Sequence, residues 1–231
     1  MERIDKIISN QTGISRKDVK ELIKKKLVSI NNKVITSPDY KINSEIDEIK
    51  IKEEPLTIEK NIYIVLNKPK GYVSATTDLK EKTVLDLIPN ELKHRNLFPA
   101  GRLDKDTTGL MLITDDGKYA HEILSPKKHI AKIYIVKIDQ KITEDMVIAF
   151  QKGIILENEI CQPAILEKLE ENTGKVTLVE GKYHQIKRMF HKFHANVIEL
   201  KRIQMGNFKL PEELKEGEYK ILTLEELKQI K

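Results

Sequence analysis

The sequence predicts an α+β protein in two parts: a small helix-helix-strand module, then a larger domain built on a central, mainly antiparallel sheet. Three observations carry this. Helical apolar spacing opens the chain and gives way to short alternating strands before residue 54. A charged segment containing Pro55 and lacking a strong period, KEEPLTIEK at 52–60, then interrupts the pattern. Beyond it strands and helices follow in mixed order, unlike the strict strand-helix alternation of a doubly wound sheet. The expected boundaries are a module at 1–53, a linker at 54–60 and a second domain at 61–231.

The first module begins with Ile4, Ile7 and Ile8 at helical spacing, and Gly13 ends that helix. SRKD at 15–18 reads as a capping box opening a second helix, whose apolar face is Val19, Leu22 and Ile23. Beside that face Arg16, Lys20 and Lys24 recur four residues apart, with Lys17 next to them, and form a basic stripe. LVSI and DEIKI are the module's strands.

In the second domain IYIVLNKPKG is a strand running into a Pro-Gly turn, and GLMLITDDG is a buried strand closed by a turn. KYAHEIL reads as a short helix, AKIYIVKI as a strand, and TEDMVIAFQKG as a helix closed by Gly153. GKVTLVEG is a further strand, and residues 182–194 are expected to be helical. In that helix Ile186, Met189, Phe190 and Phe193 form a core stripe, while His184, Lys187, Arg188 and His191 lie opposite.

Length and composition bound the function. The 231 residues suffice for two cores. With 41 Lys+Arg against 36 Asp+Glu, the net charge of +5 permits a nucleic-acid partner without requiring one. A lone cysteine, Cys161, excludes an intrachain disulfide and a multi-thiolate zinc site. No run approaches the about 18 apolar residues of a membrane span, and MERIDKIISN lacks a signal-peptide core. A cytoplasmic protein with no membrane partner is expected.

Two stretches concentrate chemistry. GRLDKDTTGLMLITDDG at 101–117 sets Arg102, Asp104 and Asp106 just before an apolar run. Two turns around a core strand account for its Asp and Gly residues. A calcium loop starting at Asp104 fails because position twelve is Asp115 rather than Glu. A pair of carboxylates for glycoside cleavage lacks any feature that makes one an acid and the other a base. Residues 181–202 hold six Lys or Arg, one Glu and three of the six histidines, a density suited to phosphate or RNA unless the helix face is merely solvated. Zinc held by His184, His191 and His194 is disfavoured, because i and i+7 lie too far apart on a helix.

GRLDKDTTGLMLITDDG resembles the central motif of the ribosomal RNA pseudouridine synthases, with Met111 where Leu is usual, and EGKYHQIKRMF resembles the later motif of their small-subunit, RsuA-like branch. Residues 1–53 are similar to the S4 RNA-binding domain that precedes the catalytic domain in that family. The resemblance implies an S4-like domain followed by a pseudouridine synthase domain. It also implies that Asp104 is the catalytic aspartate, that Arg102 shapes its turn, and that Asp106 and Thr107 hold the loop. By the same resemblance Tyr134 stacks on the target base, Lys187 is the basic partner of Asp104, with Arg188 as the alternative, and Leu200 packs under the uracil. RNA contacts are expected from Arg16, Lys17, Lys20, Lys24, His184 and Arg188.

The implied reaction breaks the ribose–N1 bond of a flipped uridine, turns the uracil and joins the ribose to C5. A carboxylate serves either as nucleophile or as base, and the sequence leaves both open. No cofactor or metal is expected. The implied partner is ribosomal RNA or a partly assembled small subunit, met by a monomer. The rival readings are a large-subunit RNA pseudouridine synthase, whose later motif usually has Asn-Arg or Tyr-Arg where this chain has Tyr183-His184, and a non-catalytic ribosome-assembly factor.

Overall fold

The computed structural model describes residues 1–44, 46–157 and 159–231, which separate into two compact units. The first comprises residues 1–61 together with 89–96. Its helix α1 (Ile4–Thr12) stops where Gly13 takes the left-handed conformation, φ 73°. Helix α2 (Arg16–Lys24) starts at Ser15, whose Oγ accepts the Asp18 N–H at 3.2 Å. Strands β1 (Val28–Ile30), β2 (Lys33–Val34), β3 (Ile49–Ile51) and β4 (Glu54–Pro55) form an antiparallel sheet in the order β2-β1-β3-β4. Ile4, Ile8, Val19, Ile23, Val28 and Ile49 make its core.

Two expectations change here. Residues 54–60 are not a bare linker: Glu54–Pro55 pair with β3, and Leu56 and Ile58 pack on this unit's core. Pro55 fits because β4 is an edge strand, where a missing N–H leaves no ladder bond unmade. Arg16, expected to face RNA, is 51% exposed and also bonds the fully buried Asp5 at 2.7 Å, and Arg3 bonds the same carboxylate at 3.1 Å. A buried charge must be paired, and α2 supplies the partner that α1 lacks. Lys17, Lys20 and Lys24 remain exposed.

The second unit comprises residues 62–88 and 97–231. Its strands are β5 (Tyr63–Lys68), β6 (Phe98–Ala100), β7 (Thr108–Thr114), β8 (Lys132–Ile138), β9 (Ile165–Lys168), β10 (Thr173–Leu178), β11 (Val197–Met205), β12 (Phe208–Lys209) and β13 (Tyr219–Ile221). Among the described residues they form one nine-stranded sheet in the order β9-β10-β8-β11-β7-β5-β13, with β12 on β11 and β6 on β7. All pairings are antiparallel except β11 with β7, so the sheet is mixed but mainly antiparallel. Every residue of β7 is buried, which explains its unbroken apolar run: both faces of this central strand are covered. On one face Leu110 and Leu112 join Tyr119, Ala120 and Ile123 of α3 (Gly117–Leu124) and Leu227 of α6 (Leu224–Gln229). Asp116 caps α3 by accepting the N–H groups of Lys118 and Tyr119, each at 3.0 Å.

Helix α4 (Glu144–Lys152) meets α5 (Gln185–His191) through Phe150 and Phe190, whose ring centroids lie 5.0 Å apart. Helix α5 is shorter than the expected 182–194. His184 precedes it in the left-handed region, φ 48°, and His194 closes the following turn at φ 58°. Ile186, Met189 and Phe190 are buried as expected, while Phe193, beyond the helix end, is half-buried.

Candidate active site

The turn before β7 is tied from below. Lys68, the last residue of β5, is fully buried, and its ammonium reaches the carbonyl oxygens of Asp104 at 3.0 Å, Lys105 at 3.3 Å, Thr107 at 2.8 Å and Pro69 at 3.2 Å. A second tie comes from Ser74, whose Oγ donates to the Leu103 carbonyl at 2.8 Å and accepts the Leu103 N–H at 2.9 Å. Within the turn the Thr107 N–H donates to the Asp104 carbonyl at 3.1 Å. Burial lowers the Lys68 ammonium to about 8, against the opposing pull of the Asp106 and Asp104 carboxylates.

The parallel pairing of β7 with β11 brings this turn beside the sheet floor. Thr108 lies opposite Lys201 and Gly109 opposite Arg202. Gly109 is required there: its φ is 97°, and a Cβ would collide with the Arg202 carbonyl oxygen.

Asp104 meets α5 from the other side. Its Oδ2 lies 2.9 Å from the Lys187 Nζ, and its Oδ1 lies 3.5 Å from the His184 Nε2. Lys187 also contacts Asp106 Oδ1 at 2.5 Å. Burial opposes the Lys187 charge, yet the two carboxylates hold its pKa above the ordinary lysine value. Asp106 keeps its pKa below the usual carboxylate range, the Lys187 contact outweighing partial burial.

A cavity of about 700 Å³ opens beside these groups. Its lining includes Arg102, Asp104, Lys132, Tyr134, Lys187, Leu200 and Arg202. Tyr134 and Leu200 are nearly buried on neighbouring strands, with Tyr134 opposite Arg202 and Val136 opposite Leu200. A carboxylate at the edge of an apolar slot, with a fixed ammonium 2.9 Å away, suits attack on, or proton removal from, a sugar whose base lies in the slot.

Four residues singled out in the sequence, Asp104, Lys187, Tyr134 and Leu200, thus meet in one cavity. Others differ from expectation. Arg102 is exposed on the cavity wall, and the turn is shaped by Lys68 and Ser74. The Asp106 side chain is 67% exposed and meets Lys187, with its own backbone N–H as a further partner. Arg188 bonds Glu159 at 2.9 Å and approaches Glu157 at 3.7 Å, because one residue along a helix turns a side chain by about 100°. His184 borders the cavity with its ring stacked on Tyr183, centroids 3.8 Å apart. The sequence reading missed Lys68, Lys132 and Arg202. Lys68 carried a signal: a strand of otherwise buried apolar residues that ends in Asn-Lys needs a polar reason.

Comparison with known proteins adds the context. Residues 62–192 match the model of the RNA pseudouridylate synthase family, and residues 2–49 match the S4 domain. An uncharacterized RNA pseudouridine synthase of Aquifex aeolicus is 40% identical over 230 residues, spanning 99% of this chain and 96% of that protein. The ribosomal small subunit pseudouridine synthase A of Haemophilus influenzae is 40% identical over 231 residues, spanning 99% of each. A crystal structure of a pseudouridylate synthase superposes with a TM-score of 0.71 at 39% identity and covers 100% of both chains.

Proposed function

The chain belongs to the RNA pseudouridylate synthase family, and from that premise we propose that it converts a specific uridine of small-subunit (16S) ribosomal RNA to pseudouridine, with Asp104 as the reacting carboxylate. The observation that carries this is the meeting of Asp104 and Lys187, 2.9 Å apart, at a cavity lined by Tyr134 and Leu200. Full-length similarity to a small-subunit enzyme supports the choice of RNA.

In this reading the target nucleotide leaves its stack and its uracil enters the cavity, where the Tyr134 ring replaces part of the lost stacking. Asp104 then either bonds the sugar C1′ or removes the C2′ proton as the C1′–N1 bond breaks. Lys187 fixes the carboxylate in place, and the freed uracil turns so that C5 meets C1′. The S4 domain holds surrounding RNA through phosphate contacts from Lys17, Lys20 and Lys24. The protein acts in the cytoplasm as a monomer, on ribosomal RNA or a partly assembled small subunit.

The test is to incubate purified protein with small-subunit and large-subunit ribosomal RNA and map pseudouridines. One new site in the small-subunit RNA is expected, absent with Asp104→Asn. Modification confined to large-subunit RNA, or none in either RNA, would overturn the assignment.

A further inference from the structure

The cavity floor carries two cations that the roles above leave unused. On β8 the residues Lys132 and Tyr134 share one face, two positions apart. On β11 a bulge at Ile203 breaks the register between Ile133 and Tyr134, so that Tyr134 lies opposite Arg202. A bulge re-aims a side chain, and here it sets Arg202 beside the aromatic slot. Lys132, Tyr134, Leu178, Leu200 and Arg202 all line the cavity.

Neither cation has a carboxylate partner among the described residues. Arg202 is 2% exposed; its Nε donates to the Leu110 carbonyl at 2.7 Å, and its buried Nη2 has no partner. Among the described residues Lys132 donates to the Ile130 carbonyl alone, at 3.3 Å. Burial, with the Arg202 charge adding to it, lowers the Lys132 ammonium to about 8. The contrast with Lys187, which faces two carboxylates, and Arg188, which faces Glu159, is sharp. A buried donor without a partner is costly and calls for an acceptor that the protein does not supply.

We propose that Lys132 and Arg202 form a donor pair that receives a carbonyl oxygen of the target uracil, O2 or O4, and holds the negative charge that develops there as the base departs. The inference rests on the reading of the cavity as a pseudouridine site. A base oxygen, not a backbone phosphate, is the acceptor, because the pair shares the cavity with Tyr134, Leu178 and Leu200, an aromatic and apolar lining that suits the faces of a planar ring. The electron count agrees. When C1′–N1 breaks, its electron pair leaves with the uracil and spreads over N1, O2 and O4. After rotation C5 bonds C1′ and loses its proton, and N1 ends protonated. Lys132 and Arg202 keep their own protons throughout. Fixed donors aimed at developing charge act mainly on the chemical step. They also disfavour cytosine wherever its amino group replaces O4.

The experiment uses RNA fragments bearing the mapped target as uridine, 2-thiouridine or 4-thiouridine, since sulfur is the weaker acceptor. The wild type should process one thio-substituted RNA on the order of tenfold more slowly than uridine. Lys132→Met should lose on the order of 100-fold in kcat with KM little changed, and should no longer distinguish that RNA from uridine. Arg202→Lys, which keeps the charge but not the guanidinium fork, should lose kcat in the same sense. Equal wild-type turnover of all three RNAs would overturn the proposal without recourse to any variant. A folded Lys132→Met with normal kcat, or with both thio effects unchanged, would overturn it too. A wild type that makes no pseudouridine from uridine RNA would instead overturn the underlying reading.

Discussion

Asp104 and Asp106 stand two residues apart, yet their surroundings differ: the Asp104 side chain is 26% exposed beside the cavity, and that of Asp106 is 67% exposed. Asp104→Asn is nearly isosteric and leaves the Lys68 ties to the backbone intact, so it should fold, bind RNA and yield no detectable pseudouridine. An amide is neither nucleophile nor base. Asp106→Asn removes only the outer partner of Lys187; turnover should persist, and stability should change by less than about 1 kcal/mol, as for exposed pairs. Pseudouridine formation and thermal unfolding on both variants check this; turnover by a folded Asp104→Asn protein would remove Asp104 from the chemistry. Lys187→Met spares the buried stripe of α5, so it should cut turnover on the order of 100-fold with little change in melting temperature. Because Arg188 is held by Glu159, it should not rescue that variant.

Helix α2 carries two kinds of basic residue that its sequence spacing does not separate. Arg16 is exposed but ion-paired with Asp5, whereas Lys17, Lys20 and Lys24 are exposed and take no part in that pair. Reversing the three lysines to Glu should weaken RNA binding and flatten the slope of log K against log salt by roughly two units. Unchanged binding across that salt range would exclude the stripe from the RNA contact. Asp5→Asn acts differently, on the fold of the first unit. Losing charge-assisted bonds to Arg3 and Arg16 should cost about 2 kcal/mol. The pH dependence follows from the sign of the shift. Although burial pushes the Asp5 carboxyl up, the bonds to Arg3 and Arg16 outweigh it and hold its pKa below the ordinary value. Its stabilisation is therefore present above about pH 4 and lost as pH falls through the lower folded value. Denaturant titrations from pH 7 to pH 2 should show this component in the wild type and not in Asp5→Asn.

On the scale of the molecule, the site exists because distant segments meet: the end of β5, the turn before β7, β8, β11 and α5. Lys68 is the clearest link, joining residue 68 to the carbonyls of 104, 105 and 107. Its folded pKa of about 8 lies below the ordinary 10.5, so the unfolded chain binds this proton more tightly between those values. Its own contribution to stability thus rises with pH over that window. Above about 8 the neutral amine has two N–H donors where the ammonium had three, and the turn loosens. Turnover should fall as pH rises through 8 without a matching loss of stability from this group. The residual activity of Lys132→Met, which lacks the other lysine near 8, should keep the same limb; its absence would free Lys68 of the role.

The sequence by itself determined the elements with a strong period or a clear stop: α1 ending at Gly13, α2 starting at Ser15, the buried β7, and the apolar stripe of α5. These depend on local backbone preference and on which side must be dry, and both are written in neighbouring residues. It also gave the two motifs that carry Asp104 and Lys187. Only the tertiary structure decided which basic residue meets which acid. Lys187 and Arg188 are adjacent in sequence and point to different partners, while Arg16 and Lys20 share an exposed stripe and only Arg16 pairs with Asp5. The strands after 196, the parallel pairing at Gly109 and the roles of Lys68, Lys132 and Arg202 were likewise not legible. A buried cation's partner is fixed by long-range register, by a single bulge at Ile203 and by the desolvation that makes pairing obligatory, and none of these leaves a local pattern in the chain.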